Sequence, residues 1–535
     1  MIITFRKRQN NLLTVLVAFF QILAVSAQAR TIQLKAAGGG EVRALIVGIN
    51  QYAAIRNLKG AVADARDIES TLKRAGVTDL TVLIDKDATR RNMVAAIDRL
   101  VALSKTGDLV IISFAGHGAQ EPELVRGSEV DGMDEIFVLA GFSTSGPGTT
   151  ERIIDDELNA WLSRLDKNGV DVLFIADTCH GGGLSRGADL RVGELSYRTA
   201  GRISLADDDL KPISTTADAF LSIESLKNVT FLGAVDKFSK SPEVPIPGST
   251  TFRGALSYAV ARAIDGGRDE AITREQLFSF ARQIVYQYSN TRQTISTEPN
   301  TKTAKLDKVV FRLKADGAPD VVDAQQPIRL RIINSGSPLE IAANRTAIRV
   351  VGNDERADLV WDVKNGDVVS AFGDLITKCI DPRCVSTIAD RTAAIFTVAK
   401  LAEIRPQTIR LLPDDERHSL GESVTFHVEG LSKKFLILVN LAGDGTVQLL
   451  YPRPEKGDAL MLEEQDFNLP LITSEPLGAD QVVAVVSDVR LAEIEEAIRG
   501  LHNQKAAGIF GEIMKAVRSE ARDVRIGMAG SFTGR

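Results

Sequence analysis

The stretch "VDVLFIADTCHGGG" (residues 170–183) runs a mostly apolar segment directly into an acid, a thiol, an imidazole and three glycines. The apolar part is short and ends at polar and glycine residues, which is typical of a buried strand. Cys179 comes directly after this strand. It is therefore either a reactive nucleophile or a small core residue at a strand end.

Buried strands alternate with amphipathic helices through the first half of the chain. Strand-like segments are "VRALIVGI" (42–49), "LTVLI" (80–84), "DLVIISFAG" (108–116), "VDVLFIAD" (170–177) and "VTFLGAV" (229–235), and helical spacing recurs between them. Strands that are apolar on both faces and separated by helices predict an α/β fold with a mostly parallel sheet between helix layers. In such open sheets, functional groups collect at the carboxyl ends of the strands.

Side chains capable of catalysis follow two of the predicted strands. His117 lies between two glycines in "IISFAGHGAQ" (111–120), and Cys179 follows sixty-two positions later. If the two strands are parallel neighbours, both side chains emerge at one edge, where a thiolate can attack a carbonyl and an imidazole can protonate the leaving amine. The backbone amides of Gly118 and Cys179 are then placed to stabilise the oxyanion. The pattern alone leaves the alternative open, because an apolar-flanked cysteine is more often a core residue.

Composition and charge indicate the class of protein. The chain has 535 residues, 44% of them hydrophobic and 25% charged, which is typical of a globular protein of about two to four domains. The formal net charge of −6 provides no basic excess to neutralise phosphates. We therefore expect no nucleic-acid partner.

The first residues are typical of a secretory signal peptide. Arg6, Lys7 and Arg8 precede the apolar run "LLTVLVAFFQILAV" (12–25), and small residues follow at a cleavage pattern that ends at Ala29. The run is shorter than the roughly 20 residues of a spanning helix. The sequence thus predicts a signal peptide over 1–29, no stable membrane anchor after its removal, and a periplasmic or secreted protein.

Three cysteines make an odd count for an exported protein. Cys379 and Cys384 lie five positions apart across an Asp-Pro turn and can close a small disulfide loop. That pairing leaves Cys179 as a thiol. A thiol in an oxidising compartment is a liability unless it is buried or used.

Four segments together resemble those of metacaspases, the caspase-like cysteine peptidases. The segments are "SFAGHGAQ", "DGMDEIFVLAGF", "RIIDDELNAWL" and "VLFIADTCHGGG", and the similarity covers roughly residues 42–300. The resemblance implies a caspase-like sheet and a cysteine endopeptidase with His117 as general acid and base and Cys179 as nucleophile. The alternative is a catalytically silent caspase-fold scaffold or binding protein.

The resemblance also implies the substrate class. Asp64 and Asp177 match the acidic residues that line the metacaspase specificity pocket, and a buried carboxylate favours a guanidinium or ammonium partner. We therefore expect cleavage of proteins or peptides after Arg or Lys. Taken singly, Asp64 also suits an exposed helix face, and Asp177 suits the cap of a turn.

An enzyme of this specificity is expected to cut itself in an exposed basic segment. The stretch "LSRGADLRVGELSYRTAGRIS" (184–204) is polar and follows the candidate nucleophile. Its four candidate positions are Arg186, Arg191, Arg198 and Arg202.

No cofactor is expected to be required, and calcium is the exception to test. By resemblance to calcium-dependent metacaspases, Asp134, Asp155 and Asp156 are the candidate ligands, since calcium prefers carboxylate oxygens. Asp155 and Asp156 equally suit the start of a helix. A further acid expected about seven residues after the nucleophile is Arg186 here, so we expect dependence on high calcium or none.

The character of the chain changes near residue 315. We expect a linker and then β-rich structure ending in helices, with strand-like segments that include "AAIFTVA" (393–399). This part resembles a domain of unknown function found on bacterial caspase-like proteins, and we expect it to recruit substrate or bind a protein partner. The predicted divisions are a caspase-like peptidase domain over 42–312, a linker over 313–327, a small β-rich domain over 328–405 and a β-rich domain with C-terminal helices over 406–535.

Overall fold

A computed structural model describes most of the chain beyond the first thirty residues. The described residues are 31–124, 129, 131–179, 191, 196–205, 223–235, 241–246, 249, 251–267, 270–289, 293–299, 306–316, 326–336, 339–353, 355–413, 417–453, 455, 457–458, 460–475, 477–520 and 523–534. The predicted signal peptide and Arg186 lie outside them.

The first half of the described chain alternates strands and helices, as predicted. Its elements are β1 (Ile32–Ala36), β2 (Val42–Gly48), α1 (Ala61–Arg74), β3 (Asp79–Ile84), α2 (Arg90–Leu103), β4 (Leu109–Ala115), β5 (Gly118–Pro122), β6 (Met133–Val138), β7 (Arg152–Ile154), α3 (Asp155–Lys167), β8 (Asp171–Asp177), β9 (Thr199–Arg202), β10 (Val229–Gly233), β11 (Glu243–Pro245), β12 (Phe252–Gly254), α4 (Ala255–Gly266), β13 (Glu270–Thr273), α5 (Arg274–Tyr288), β14 (Ser296–Glu298) and β15 (Val309–Ala315).

The central sheet has six strands in the order β14-β10-β8-β4-β2-β3. Neighbouring strands are parallel except for the antiparallel edge strand β14. The predicted mostly parallel sheet is thus confirmed. Its order makes β4 and β8, the strands that precede His117 and Cys179, direct neighbours at the centre.

Alternate residues of the strands face two helix layers. In β2, Leu45 and Val47 join a core with α2 and α3, whereas Ala44 and Ile46 join a core with α1, α4 and α5. Gly48 ends β2 where α1 passes closely, because a Cβ there would lie 2.5 Å from the Cβ of Ala65. Burial on both faces explains why these strands are almost continuously apolar.

Two smaller sheets border the carboxyl end of the central sheet. The strands β7, β6, β5 and β9 form one sheet in that order, and β11 pairs with β12 as a separate hairpin. Strand β5 begins at Gly118, directly after His117. These two sheets flank the edge where the candidate site lies.

The second half of the described chain is rich in strands. Its elements are β16 (Ile328–Ile333), β17 (Ile348–Val350), β18 (Leu359–Asp362), β19 (Asp367–Ser370), β20 (Leu375–Lys378), α6 (Pro382–Ala402), β21 (Ile409–Leu412), β22 (Arg417–Ser419), β23 (Ser423–Val428), β24 (Lys434–Leu441), β25 (Thr446–Tyr451), β26 (Met461–Leu462), β27 (Phe467–Ile472), β28 (Gly478–Ser487), α7 (Ala492–Arg499), β29 (Gln504–Lys505), α8 (Ala507–Glu520) and β30 (Arg525–Gly534). Strands β16 to β20 form one five-stranded sheet, which we call the small β domain (residues 326–378).

The remaining C-terminal elements pack directly on the first half of the chain. Val398 of α6, Val439 of β24 and Phe510 of α8 share one apolar core with Leu277 and Ile284 of α5. The small β domain has a core of its own beneath the start of α6. A disulfide joins Cys379, the residue after β20, to Cys384 in the first turn of α6.

Three details differ from the sequence-based expectations. The segment "AAIFTVA" is helical and not a strand, because Asp381 caps α6, Pro382 starts it, and buried residues recur at helical spacing. Strand β15 extends to Ala315, which removes the first three residues of the predicted linker. The two predicted C-terminal helices are present, but the small-residue strand β30 follows them and pairs with β28.

Within the described part of the chain, no helix has both the length and the apolar character needed to cross a membrane.

Candidate active site

His117 and Cys179 follow the ends of two hydrogen-bonded strands. The parallel register of β4 and β8 sets Ala115 opposite Asp177, and each candidate residue comes two positions later. Both side chains are buried, with 2% of His117 and none of Cys179 exposed. The register therefore brings His117 and Cys179 to the same edge of the sheet, at the same level.

The imidazole of His117 is oriented by backbone and aromatic contacts. Its Nε2 lies 2.8 Å from the carbonyl oxygen of Arg56, and since a carbonyl only accepts, Nε2 carries the proton and donates. The hydroxyl of Tyr52 accepts from the backbone N–H of His117 at 2.7 Å, and the two rings are 4.9 Å apart. Nδ1 is buried with no hydrogen-bond partner among the described residues. Its lone pair is thus available to take a proton.

Burial lowers the pKa of His117 below its usual value of 6.5. The hydrogen bond to the Arg56 carbonyl and the charge of Glu243 oppose this effect, and the charge of Arg198 adds to it. The imidazole is neutral above its pKa, so a lowered pKa keeps it neutral at pH 7. It can therefore serve as a base.

Two backbone amides converge on one carbonyl oxygen beside Cys179. The N–H groups of Gly118 and Cys179 both donate to the carbonyl oxygen of Arg198, each at 3.1 Å. These are the two amides that the sequence pattern predicts for the oxyanion. Donors in this arrangement stabilise negative charge that develops on that oxygen.

The guanidinium of Arg198 lies in a pocket of buried carboxylates. Its Nη2 donates to Asp64, and its Nη1 lies 3.1 Å from Oδ1 of Asp177. All three side chains are fully buried. Burial lowers the pKa of Arg198, but the surrounding carboxylates raise it by a larger amount. The net pKa is raised, so the guanidinium stays charged.

Backbone amides hold two of these carboxylates in place. The Gly254 N–H donates to both oxygens of Asp64, at 2.9 and 3.0 Å, and the Ser257 N–H donates to Asp177 at 2.8 Å. A Cβ at Gly254 would lie 2.2 Å from Asp177 and 2.4 Å from Nη1 of Arg198. Only glycine leaves room for the guanidinium here.

Sequence reasoning missed a third acid in the pocket. Glu243 is fully buried, with Oε1 at 3.7 Å from Nη2 of Arg198. It accepts from the backbone N–H groups of Lys59 and Gly60. The only signal in the sequence is an acid between apolar and proline residues in "SPEVPIP".

The chain around Arg198 is extended and paired on both sides. Residues 196–198 pair with residues 241–243: the Arg198 N–H donates to the Ser241 carbonyl at 3.0 Å, and the Glu243 N–H donates to the Ser196 carbonyl at 2.8 Å. After Arg198, β9 pairs with β5. This is how a peptide lies when it is bound across a cleft, with the Arg198–Thr199 bond at its centre.

The other candidate self-cleavage positions lie elsewhere. Arg191 is bound to Asp367 of the small β domain at 2.7 Å, and Arg202 is exposed. Of the three candidate arginines that the structure describes, Arg198 occupies the acidic pocket.

The candidate calcium ligands lie at one end of α3 and the adjacent strand. Burial raises the pKa of Asp155 well above its usual value, with Glu135 as the next cause. Burial and Asp134 raise the pKa of Asp156 to about 6. Carboxylates suit calcium chemically, but among the described residues no group of three His, Cys, Asp or Glu side chains is arranged to hold a metal ion.

Comparison with known proteins identifies the first half of the chain. Residues 41–311 match the caspase domain, Peptidase C14. The chain belongs to the caspase-domain family. Its caspase domain is a metacaspase-like cysteine peptidase domain, and the resemblance to metacaspases is confirmed.

The relatives of this caspase domain include fungal and plant metacaspases. Metacaspase-1 of Mycosarcoma maydis is 34% identical over 151 residues, which cover 27% of this chain and 36% of that protein. Metacaspase-2 of Arabidopsis thaliana is 28% identical over 257 residues, which cover 46% and 57% respectively. The chain thus spans about a third of the length of the first curated relatives it matches.

Solved structures with weaker similarity include pro-Sf-caspase-1. That structure is 16% identical with a TM-score of 0.29, and the match covers 52% of this chain and 87% of that one. A crystal structure of a Geobacter sulfurreducens protein is 21% identical with a TM-score of 0.35, over 51% and 100% of the two chains.

We predict that His117 titrates below pH 6.5 in the uncleaved protein, because burial disfavours the imidazolium. The Cys179→Ala chain, labelled at its five histidines, would be titrated by NMR, and His117→Gln would assign the signal. A midpoint above 6.5 would contradict a neutral base.

Proposed function

We propose that the protein is a cysteine endopeptidase that cleaves after Arg or Lys, and that it cleaves its own Arg198–Thr199 bond. Cys179 is the nucleophile and His117 is the general base and acid. The observation that carries the proposal is the double engagement of Arg198. Its carbonyl oxygen lies between two amides, and its guanidinium lies among three buried carboxylates.

The chemistry follows from this arrangement in two stages. Nδ1 of His117 takes the thiol proton, and the thiolate of Cys179 attacks the carbonyl carbon of Arg198. The oxyanion is stabilised by the N–H groups of Gly118 and Cys179. Its collapse breaks the bond to Thr199, whose nitrogen takes the proton from His117. Water then attacks the thioester carbon and gives a proton to His117. The C–S bond breaks, the sulfur of Cys179 takes that proton from His117, and the new acid at Arg198 releases its own proton to solvent and becomes a carboxylate.

The pocket favours arginine over lysine and rejects acidic residues. Burial raises the pKa of Asp64, and Arg198 opposes this effect. A cation is therefore needed to keep the Asp64 carboxylate ionised. The planar fork of arginine reaches Asp64 and Asp177 together, whereas the ammonium of lysine is a point charge. Proteins or peptides with exposed Arg, and less so Lys, are thus the proposed substrates.

The alternative is a silent scaffold in which Arg198 is a permanent structural cation. A buried ion pair needs only the guanidinium and the acids. It does not need the Arg198 carbonyl to accept from Gly118 and Cys179, nor an extended backbone on both sides. The backbone arrangement favours a substrate bound before cleavage.

We further propose that the protein is exported by its predicted signal peptide and acts in the periplasm or outside the cell. The disulfide between Cys379 and Cys384 supports this proposal, because disulfides persist in oxidising compartments.

We predict that the purified chain cuts itself after Arg198. Intact mass and N-terminal sequencing should show a fragment that begins at Thr199. Cys179→Ala and His117→Ala should each slow this step at least about 100-fold, and Arg198→Ala should abolish it.

Arg202→Ala is the matched control, since Arg202 is a nearby exposed arginine, and it should be cut like the wild type. Full-length mass in every variant and in the wild type would favour the silent scaffold. Cleavage that persists at another arginine in Arg198→Ala would show that the Arg198 site is wrong.

We predict that the pocket acids set specificity toward added peptides. Asp64→Asn and Asp177→Asn should each lower kcat/KM for an Arg peptide about 100-fold, because each leaves a buried cation short of a partner. Glu243→Gln should cost less, since Glu243 lies farther from the guanidinium. Asp98→Asn, at a side chain that is 55% exposed, is the control. Equal losses for Arg peptides and for apolar peptides would count against a specificity role.

We predict no response of peptidase activity to free calcium below about 10 μM, because no group of three side chains that could hold a metal ion is found among the described residues, and Arg186 stands where a further acid is expected. Rates would be measured in calcium buffers up to the millimolar range. Saturation at submicromolar calcium would contradict this expectation.

A further inference from the structure

The hairpin β11–β12 forms the wall along which the chain before Arg198 lies. The Ser241 carbonyl and the Glu243 N–H, at its start, pair with that chain, and the Glu243 carboxylate faces the guanidinium. Each strand of this hairpin has three residues, and it forms a sheet by itself. A two-stranded hairpin is marginal alone. Its position therefore depends on what packs against it.

Two arginines of the small β domain bind the tip of this hairpin. Nη1 of Arg356 donates to the carbonyl oxygens of Ser249, at 2.8 Å, and Ile246, at 3.3 Å. Nη1 of Arg329 donates to the Ser249 carbonyl at 3.3 Å. These bonds connect the small β domain to a substrate-binding element of the caspase domain.

The two arginines are held by a shared acid. Nη2 of Arg329 lies 2.7 Å from Asp358, and Nη2 of Arg356 lies 3.8 Å from it. The side chains of Arg356 and Asp358 are only 10% and 4% exposed. A buried group of this kind is costly to break once formed, so it fixes its partners more firmly than a surface ion pair.

The ring of Phe252 extends this contact toward the pocket. The guanidinium carbon of Arg356 lies 5.7 Å from the ring centroid, and Nζ of Lys59 lies 5.5 Å from it. Phe252 starts β12 two positions before Gly254, whose amide holds Asp64. Arg356 is thus linked through one strand to the carboxylate that binds arginine.

A second contact of the same domain reaches the bound segment. Arg191, seven positions before Arg198, is paired with Asp367 at 2.7 Å. The small β domain therefore contacts both the hairpin and Arg191, which precedes the paired residues 196–198.

We infer that the small β domain positions the substrate-binding hairpin through Arg329, Arg356 and Asp358. Recognition of residues before the scissile bond then depends on a domain outside the caspase domain. Arg356 is a positioning residue that acts through Ile246, Ser249 and Phe252. The inference rests on the proposed function for what the hairpin binds.

The first test separates binding along the hairpin from binding in the pocket. Full-length wild type, Arg356→Ala and Arg356→Lys would be compared on a peptide with the residues of Glu194–Arg198 before the scissile bond and on a blocked single-arginine amide. Arg356→Ala should raise KM for the peptide about tenfold with kcat within about twofold, because it removes hydrogen bonds from a charged group. The single-arginine amide should change less than about threefold, and Arg356→Lys should recover part of the loss.

The second test needs no activity. In the Cys179→Ala background, hydrogen exchange at residues 241–246 and 251–254 should be faster with Arg356→Ala. Arg331→Ala is the matched control, because the hydrogen bonds of the Arg331 side chain among the described residues go to carbonyls of the loop that contains Gly352, Asn353 and Glu355.

The outcomes separate the inference from the proposed function. An inactive wild type would overturn the proposed function, and hydrogen exchange would then decide the positioning role alone. Unchanged exchange and KM in Arg356→Ala would overturn the positioning role. An equal effect of Arg331→Ala would overturn it too, since it would show general loosening of the small β domain.

Discussion

Arg198 is bound both through its backbone carbonyl and through its guanidinium, and the rest of the site is arranged around these two contacts. Its carbonyl oxygen accepts hydrogen bonds from the backbone amides of Gly118 and Cys179, which lie in different segments of the chain. Its guanidinium contacts carboxylates that are buried away from water. Removing one partner of such a buried pair costs about 3–5 kcal/mol. The side chain and the backbone are therefore located together, which places one peptide bond beside Cys179.

The central sheet makes this arrangement possible. Parallel pairing of β4 with β8 sets the residues after the two strands at one level. The same edge receives the first turn of α1, which carries Asp64, and the start of α4, whose amide at Ser257 holds Asp177. Helix starts supply N–H groups to buried carboxylates. The acidic pocket is thus a consequence of how helices begin over the carboxyl end of this sheet.

The sequence was sufficient to predict those parts of the candidate site whose positions follow from the order of the strands. His117 and Cys179 follow buried strands, and the alternation of strands and helices predicts that the two strands are parallel. The hydrogen bond from His117 to the Arg56 carbonyl could not be predicted, because every residue has a backbone carbonyl and the sequence does not indicate which one will be the acceptor. Glu243 was missed because its role depends on a short hairpin folding back over α1.

Helix α6 was missed for a different reason. Its run of apolar and β-branched residues has strand-like composition, and only its capping residues and its packing against the sheet of the small β domain determine that it is helical. The sequence also could not predict that Arg198 lies in the acidic pocket. Four arginines in one polar segment are equivalent in composition, and only the folded chain shows which one meets the acids.

In the proposed self-cleavage, the charges of Arg198 change but its partners stay the same. Its new carboxylate lies between the same two amides, and its guanidinium lies between the same acids, so the product is held as the substrate was. Arg191 and Asp367 then lie on different fragments and still join them across the cut. If Arg198 then departed, three buried carboxylates would be without a cation, and burial would favour uptake of a proton by Asp64. On the proposed function, emptying the pocket is therefore a separate and energetically costly step, and access of other substrates would depend on it more than on the first bond cleavage.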